Sequence, residues 1–368
     1  MLKKDKFNLE CIQCNKCQAN CPVNTVIPDF SPRAFILEKL LGDESELIES
    51  GAAYKCLTCF TCQSVCASKT DFPYYSRQMR KIALEKGIAS TCKHGNILRG
   101  INMLSLKYDL KQDRLSGLPQ ESFAREGETY YFAGCIPYFA QVFSHTDSAK
   151  TLLDALKLFN HTELKPVMSD EEKCCGYDFF FAGMDEEYEA FLEHNRELFK
   201  KLGIKTVITT CPECLTVMKE IPEIKAVHIT EYLDAALKEG KLRFKSDAPA
   251  RTVTYHDPCR LSRVNNIVEP PRRLLKAVPN LKFVELENNK QSSICCGVGN
   301  FVHCDANTKF LQNQRIGEFG RSGAEAVSLA CPKCNIHLNC YLDGRPIEEV
   351  SKFTLTDITS VIREALQE

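Results

Sequence analysis

Hydrophobic and polar positions change rhythm along this chain. In the first third, apolar residues recur at helical spacing. Phe35, Ile36, Leu37, Leu40 and Leu41 give a helix its apolar side. Ser31 suits its N-cap, Pro32 its first position and Gly42 its far end. A charged, amphipathic helix is expected over 75–87, closing at glycine. Residues 88–127 show no clear period, and their 110–127 portion is polar and broken by Pro and Gly, as a linker is.

From residue 128 the pattern turns to short β-branched or aromatic runs that alternate with helical spacing. It predicts a strand over 130–133, helices over 146–159 and 191–202, a strand over 205–210 and a helix over 230–240. After a polar link over 241–250 the plan repeats, with strands over 253–255, 282–287 and 326–329 and helices around 272–277 and 308–319. The expected fold is α+β with α/β: a mostly helical domain over 1–110, a linker over 111–127, and two small α/β units over 128–245 and 246–368. Duplicated units of this kind pair about a pseudo-twofold axis, and ligands gather where strands end and helices begin. The gap between the two rims is therefore the candidate active site.

With 368 residues, three domains can each bury a core. Net charge is -1, from 47 basic and 48 acidic residues, so no extended positive field exists to hold nucleic acid. The amino terminus has basic residues but no apolar stretch behind them, and nothing approaches the roughly 20 apolar residues that cross a bilayer. A cytoplasmic protein is expected, reaching the inner face of a membrane only through a partner.

The 21 cysteines change the picture most. Their C-x2-C groupings in a large chain point to metal ligation in a reducing compartment rather than to disulfides. Cys11, Cys14, Cys17 and Cys21, followed by Pro22, form C-x2-C-x2-C-x3-C-P, and the spacing recurs at Cys56, Cys59, Cys62 and Cys66. This is the ligand run of a two-cluster bacterial-type ferredoxin, in which the fourth cysteine of each run serves the other cluster. One cubane [4Fe-4S] cluster then takes Cys11, Cys14, Cys17 and Cys66, and the other Cys56, Cys59, Cys62 and Cys21. Ala67 stands where proline follows the first run.

Ten more cysteines fall into two sets of five. Cys135 is separated by 38 residues from Cys174-Cys175-Gly176, and 35 residues lie between Cys175 and Cys211-Pro212-Glu213-Cys214. Cys259 is separated by 35 residues from Cys295-Cys296-Gly297, and 34 lie between Cys296 and Cys331-Pro332-Lys333-Cys334. A structural zinc takes four ligands, so one thiol per set is surplus. Adjacent cysteines point apart and suit two metal atoms of one centre. Gly176 and Gly297 are expected to permit the turn and to let backbone approach a bulky cofactor. A vicinal disulfide and a zinc knot stand as the structural alternatives.

Both sets resemble the cysteine-rich CCG domain of the heterodisulfide reductase family, and the ferredoxin domain ahead of them resembles the layout of that family's D subunit, or of its C and B subunits joined. The resemblance implies that Cys135, Cys174, Cys175, Cys211 and Cys214 hold one noncubane [4Fe-4S] cluster. Cys259, Cys295, Cys296, Cys331 and Cys334 hold a second. Two such clusters facing one gap imply reduction or formation of a disulfide, such as the coenzyme M–coenzyme B heterodisulfide, at iron rather than at a catalytic side chain. Implied partners are the disulfide or thiol substrate and other subunits of a redox complex: a flavoprotein, an iron-sulfur subunit, or a membrane cytochrome or quinone subunit. Relatives with the same layout imply an alternative, an electron-transfer subunit between a flavoprotein dehydrogenase and quinone. His256, in His256-Asp257-Pro258-Cys259, is the side chain that could touch substrate or cluster sulfur, or serve structure alone. Arg260 follows where the family often has histidine, and Val298-Gly299-Asn300-Phe301 follows the second Cys-Cys-Gly where glycines are common. Cys92, Cys304 and Cys340 are left for thiol–disulfide exchange as the rival chemistry. Tyr177, Phe179, Phe180 and Phe181 either wall the gap or fill the core.

Overall fold

The computed structural model describes residues 7–90, 92–107, 110, 112–143, 146–299, 305–343 and 353–367. Cys304, Asn300 and Phe301 lie outside these described residues. The first expected helix forms at Pro32–Leu41 as its punctuation dictates. Ser31 Oγ accepts from the Ala34 amide, and Gly42 closes the far end at φ 80°. The second runs Phe72–Glu85. A helix at Lys93–Lys107 was not expected. Its buried residues include Arg99, Asn102 and Ser105 while Ile97 and Leu104 are exposed, so the usual apolar period is scrambled.

Two parallel sheets follow. β1 (Thr129–Phe132), β2 (Thr206–Thr209) and β3 (Lys225–His228) form one in the order β1-β2-β3. β4 (Arg251–Tyr255), β5 (Leu281–Val284), β6 (Ala326–Leu329) and β7 (Thr354–Asp357) form the other in the order β5-β4-β6-β7. The two share one plan: β1 matches β4, β2 matches β6, and β3 matches β7. At the position of β5 the first unit has only Val167, bridged to Tyr130. β3 and β7 escaped the sequence pattern because each is a four-residue edge strand carrying polar residues.

The units pack reciprocally, as the halves of a twofold pair do. The Ser148–His161 helix of the first lies on the Ile358–Glu364 helix of the second, where Ser360 Oγ and Arg363 Nε donate to Asp154 at 2.7 and 2.9 Å. The Glu269–Ala277 helix of the second lies on the Ile229–Lys238 helix of the first, where Arg273 Nε donates to Asp234 at 2.7 Å. One hydrophobic core runs through both sheets, with Tyr131 and Ile208 from one and Val253 and Tyr255 from the other.

The N-terminal part grips both units. Arg77 Nε and Arg80 Nη1 on the Phe72–Glu85 helix donate to the Phe180 and Phe181 carbonyls at 3.0 and 2.8 Å. Gly183 makes that approach possible, since a Cβ there would lie 2.6 Å from Lys81 Cα. On the other side, Arg263 Nε donates to the Cys59 carbonyl at 2.7 Å. Among the described residues no helix is long and apolar enough to cross a membrane.

Candidate functional site

Strand ends deliver the cysteines. Cys135 follows β1 and is the N-cap of the Ile136–Val142 helix; Cys211 follows β2 and is the N-cap of the Pro212–Met218 helix. Pro212 occupies the start of that helix, where a missing amide costs nothing, and Cys214 falls within its first turn. The Tyr177–Ala182 helix begins directly after Cys174-Cys175-Gly176. Helix N-termini favour negative charge, hence thiolate.

These five sulfurs meet. Cys135 and Cys174 are 3.7 Å apart, and the Gly176 amide donates to Cys174 Sγ at 3.4 Å. Hydrogen bonds with Cys174 and Cys214 pull the Cys175 thiol down to about 7, and Cys214 in turn bonds Cys211. All five line one cavity of about 20 Å³, together with Tyr177, Asp178, Glu213, and Pro332 and Lys333 of the second unit.

The second set repeats this with differences. Cys259 heads a π-turn, Arg260–Val264, and Cys331 is the N-cap of the Pro332–Leu342 helix. Cys296 and Cys334 are 3.3 Å apart, and the Gly297 amide donates to Cys295 Sγ at 3.4 Å. A hydrogen bond with Cys295, aided by the Arg260 charge, brings the Cys259 thiol down to about 6. His256 is buried beside Cys296 and Cys334, their ligand atoms all within 4.8 Å of one another. Arg315 Nε donates to His256 Nδ1 at 3.0 Å. The neutral ring therefore keeps its proton on Nε2, which is buried with no hydrogen-bond partner among the described residues. Phe132 holds the matching position in the first unit, so the two sets have unequal surroundings.

The two sets touch where the units meet. Lys333, between Cys331 and Cys334, pairs with Glu213, between Cys211 and Cys214, and with Asp178; all three side chains are largely buried. A hydrogen bond with Cys334 lowers the Cys331 thiol, but burial, with nearby Cys211 adding to it, pushes it up overall. In the N-terminal part the two runs cross. Burial raises the Cys17 thiol with Cys11 and Cys66 adding to it, and raises Cys21 with Cys59 and Cys56 adding to it. Cys11, Cys14, Cys17, Cys62 and Cys66 line a cavity of about 30 Å³. Cys59 hydrogen-bonds Cys295 of the second set and is drawn well below the ordinary thiol range by that bond.

Some expectations change. Gly176 and Gly297 do sit at left-handed φ, 84° and 89°, but a Cβ on Gly176 would meet Tyr188 at 3.1 Å and Phe191 at 3.3 Å, and one on Gly297 would meet Leu311 and Thr308. The tight approach at Gly176 is to a neighbouring helix, while a Cβ on Gly297 would make only ordinary contacts. Gly134 is the glycine that lets backbone approach a cysteine sulfur: at φ 59°, its Cβ would fall 2.8 Å from Cys214 Sγ. Phe179, Phe180 and Phe181 are core, whereas Tyr177 both packs against Phe181 and lines the first cavity. Cys92 packs among the apolar residues near Cys296, and Cys340 receives Lys309 Nζ at 3.6 Å. Arg114 and Glu172 were not foreseen from the sequence. This buried pair meets at 2.8 Å, and Glu172 accepts from the Gly134 amide at 2.8 Å.

The class follows from these sites and is matched by two known families. Residues 4–67 match the 4Fe-4S dicluster domain, and residues 129–219 and 253–339 each match the cysteine-rich CCG domain. The chain belongs to the iron-sulfur proteins that carry two CCG domains behind a dicluster ferredoxin domain. It is 28% identical to the D subunit of the dihydromethanophenazine:CoB–CoM heterodisulfide reductase of Methanosarcina acetivorans, over 97% of this chain and 93% of that one. It is 26% identical to the B subunit of the fumarate reductase (CoM/CoB) of Methanothermobacter marburgensis, over 95% of this chain and 71% of that one. With the EtfAB:quinone oxidoreductase of Syntrophomonas wolfei it shares 23% identity over 99% of this chain and 59% of the relative. It is an iron-sulfur oxidoreductase subunit related to heterodisulfide reductase.

Proposed function

We propose that this chain makes or breaks a disulfide at the contact between its two five-cysteine sets. In this reading Cys135, Cys174, Cys175, Cys211 and Cys214 hold one noncubane [4Fe-4S] cluster, and Cys259, Cys295, Cys296, Cys331 and Cys334 hold another. Two cubane clusters sit on Cys11, Cys14, Cys17 and Cys66 and on Cys56, Cys59, Cys62 and Cys21. The donor chemistry fits: the thiols are soft, mostly buried, free of disulfides among the described residues, and receive backbone amides at sulfur. The carrying observation is that the C-P-x-C pairs of the two sets meet at one interface, joined by the Glu213–Lys333 pair.

When bound, iron-sulfur clusters supply electrons singly and offer iron to sulfur. Reduction of R–S–S–R′ consumes two electrons and two protons and releases two thiols; the electrons come from a partner redox protein and the protons from solvent. The Cys59–Cys295 contact supports arrival of those electrons at the second set. His256, held in one tautomer by Arg315, lies beside Cys296 and Cys334 with its Nε2 unpartnered among the described residues, so its proton is available to sulfur or to substrate there. The coenzyme M–coenzyme B heterodisulfide, present in the names of relatives, is the first substrate to try.

One observation favours a second reading, an electron-transfer subunit with no substrate of its own. Asp178, Glu213, Lys333 and Arg260 occupy the contact between the sets. Paramagnetic resonance of the oxidised, iron-loaded protein separates the two. A new cluster-centred signal on adding coenzyme M or coenzyme B supports disulfide chemistry, and silence with both overturns it in favour of the relay. Four clusters require about 16 iron atoms per chain; stoichiometric zinc in their stead overturns both readings.

A further inference from the structure

Among the described residues, Arg260 stands out because its contacts reach three of these centres at once. Its Nη1 donates to the Cys259 sulfur at 2.9 Å. Nη2 donates to Thr58 Oγ1 at 2.7 Å and to the Leu57 carbonyl at 3.3 Å, in the turn between Cys56 and Cys59. Nε faces Glu213 Oε1 at 3.3 Å, inside the C-P-x-C pair of the first set. The guanidinium lies 5.8 Å from the centre of the Tyr177 ring, and both it and Glu213 are 3% exposed.

We propose that Arg260 is a positioning residue that raises the reduction potential of the second five-cysteine centre and clamps the Cys56–Cys59 turn against it. This rests on the reading that the second set holds iron. A guanidinium stays charged in a protein, and its rigid fork can serve several acceptors in fixed directions. A centre that gains an electron becomes more negative, so a fixed cation at its sulfur favours the reduced form, and a buried site weakens that attraction little. Hydrogen bonds to sulfur act in the same direction. Glu213 makes the buried cation tolerable and offsets part of its field. The two residues therefore push the potential in opposite senses.

That opposition supplies the test. Redox titration of the iron-loaded full chain, followed by paramagnetic resonance, reads the signal that is lost in Cys334→Ser. Arg260→Gln is expected to weaken that centre's affinity for its electron about tenfold, which is about 59 mV downward for a one-electron couple. Arg260→Lys keeps the charge and recovers most of the shift. Glu213→Gln moves the midpoint up. An unmoved midpoint in both neutral variants overturns the proposal, as does a shift of the same sign in both. Should Arg260→Gln fail to take up iron, the sign in Glu213→Gln decides alone. If Cys334→Ser removes neither signal nor iron, the iron reading of the second set falls and takes this inference with it. Iron present with an unmoved midpoint sinks only the inference.

Discussion

Arg114 and Glu172 show how much of the first site depends on residues that are not ligands. Glu172 receives the Gly134 amide and the Arg114 guanidinium, and Arg114 also donates to the Gly134 carbonyl. Both polar groups of the peptide ahead of Cys135 are thus tied to one buried ion pair. Removing only the cation leaves a carboxylate stranded away from water. Arg114→Ala should therefore cost roughly 3–5 kcal/mol in urea unfolding. Replacing both partners, as in Arg114→Met with Glu172→Leu, should recover most of that loss. Gly134→Ala forces a side chain into left-handed backbone at about 1–2 kcal/mol and pushes on the Cys214 sulfur. A lower melting temperature and less iron at the first set are expected. None of these three residues was legible in the sequence, because a lone arginine in a polar stretch and one glutamate of the acidic run Asp170-Glu171-Glu172 carry no spacing. The cysteines themselves were legible, since ligand runs repeat.

At the scale of elements, what repeats or is punctuated could be read, and what is held by tertiary contacts could not. Pro32–Leu41 was visible because cap, proline and glycine all agree. β6 was visible because Ala326–Leu329 is an uninterrupted apolar-rich run flanked by turn residues. β3 and β7 were not, although each leads straight into a capped helix: His228 Nδ1 accepts from Thr230, and Asp357 Oδ1 accepts from Thr359. The His228 cap makes its own prediction. Burial lowers this imidazole from about 6.5 to about 3, while a hydrogen bond to the Thr210 carbonyl opposes the fall. Below pH 6.5 the unfolded chain binds a proton that the folded chain refuses, so stability falls as pH drops through that value and is unaffected above it. At pH 5.5 the loss is about 1.4 kcal/mol. His228→Asn keeps a capping acceptor and should show a flatter melting temperature between pH 7.5 and 5.5.

At the scale of the whole molecule, several arginines tie the N-terminal part to the rest, and Arg80 is the most deeply buried of those on the Phe72–Glu85 helix. Arg80 is fully buried and donates to the carbonyls of Ala53, Cys56 and Phe181. Arg80→Met should leave these acceptors without a partner, at about 1–3 kcal/mol each where water cannot reach them. Hydrogen exchange should then quicken together in the Phe72–Glu85 and Tyr177–Ala182 helices while β4 and β6 stay protected; quickening confined to one helix would count against the tie. The pseudo-twofold arrangement was foreseeable from the repeated spacing, but its reciprocal Asp154–Arg363 and Asp234–Arg273 contacts were not, since no repeat announces a partner on another unit. The unequal neighbours of the two cysteine sets carry a last consequence. Phe132 in one half answers to His256 in the other, and the latter half meets the ferredoxin run at sulfur and guanidinium, through Cys295 and Arg260, where the former meets it through the Phe181 ring against Phe60. A circularly reordered gene, with the later half moved ahead of the earlier one, would still spell two quintets. On the proposed reading, in which electrons arrive at the second set, it would nevertheless offer them to the wrong copy. The halves have become ancestral twins that can no longer stand in for each other.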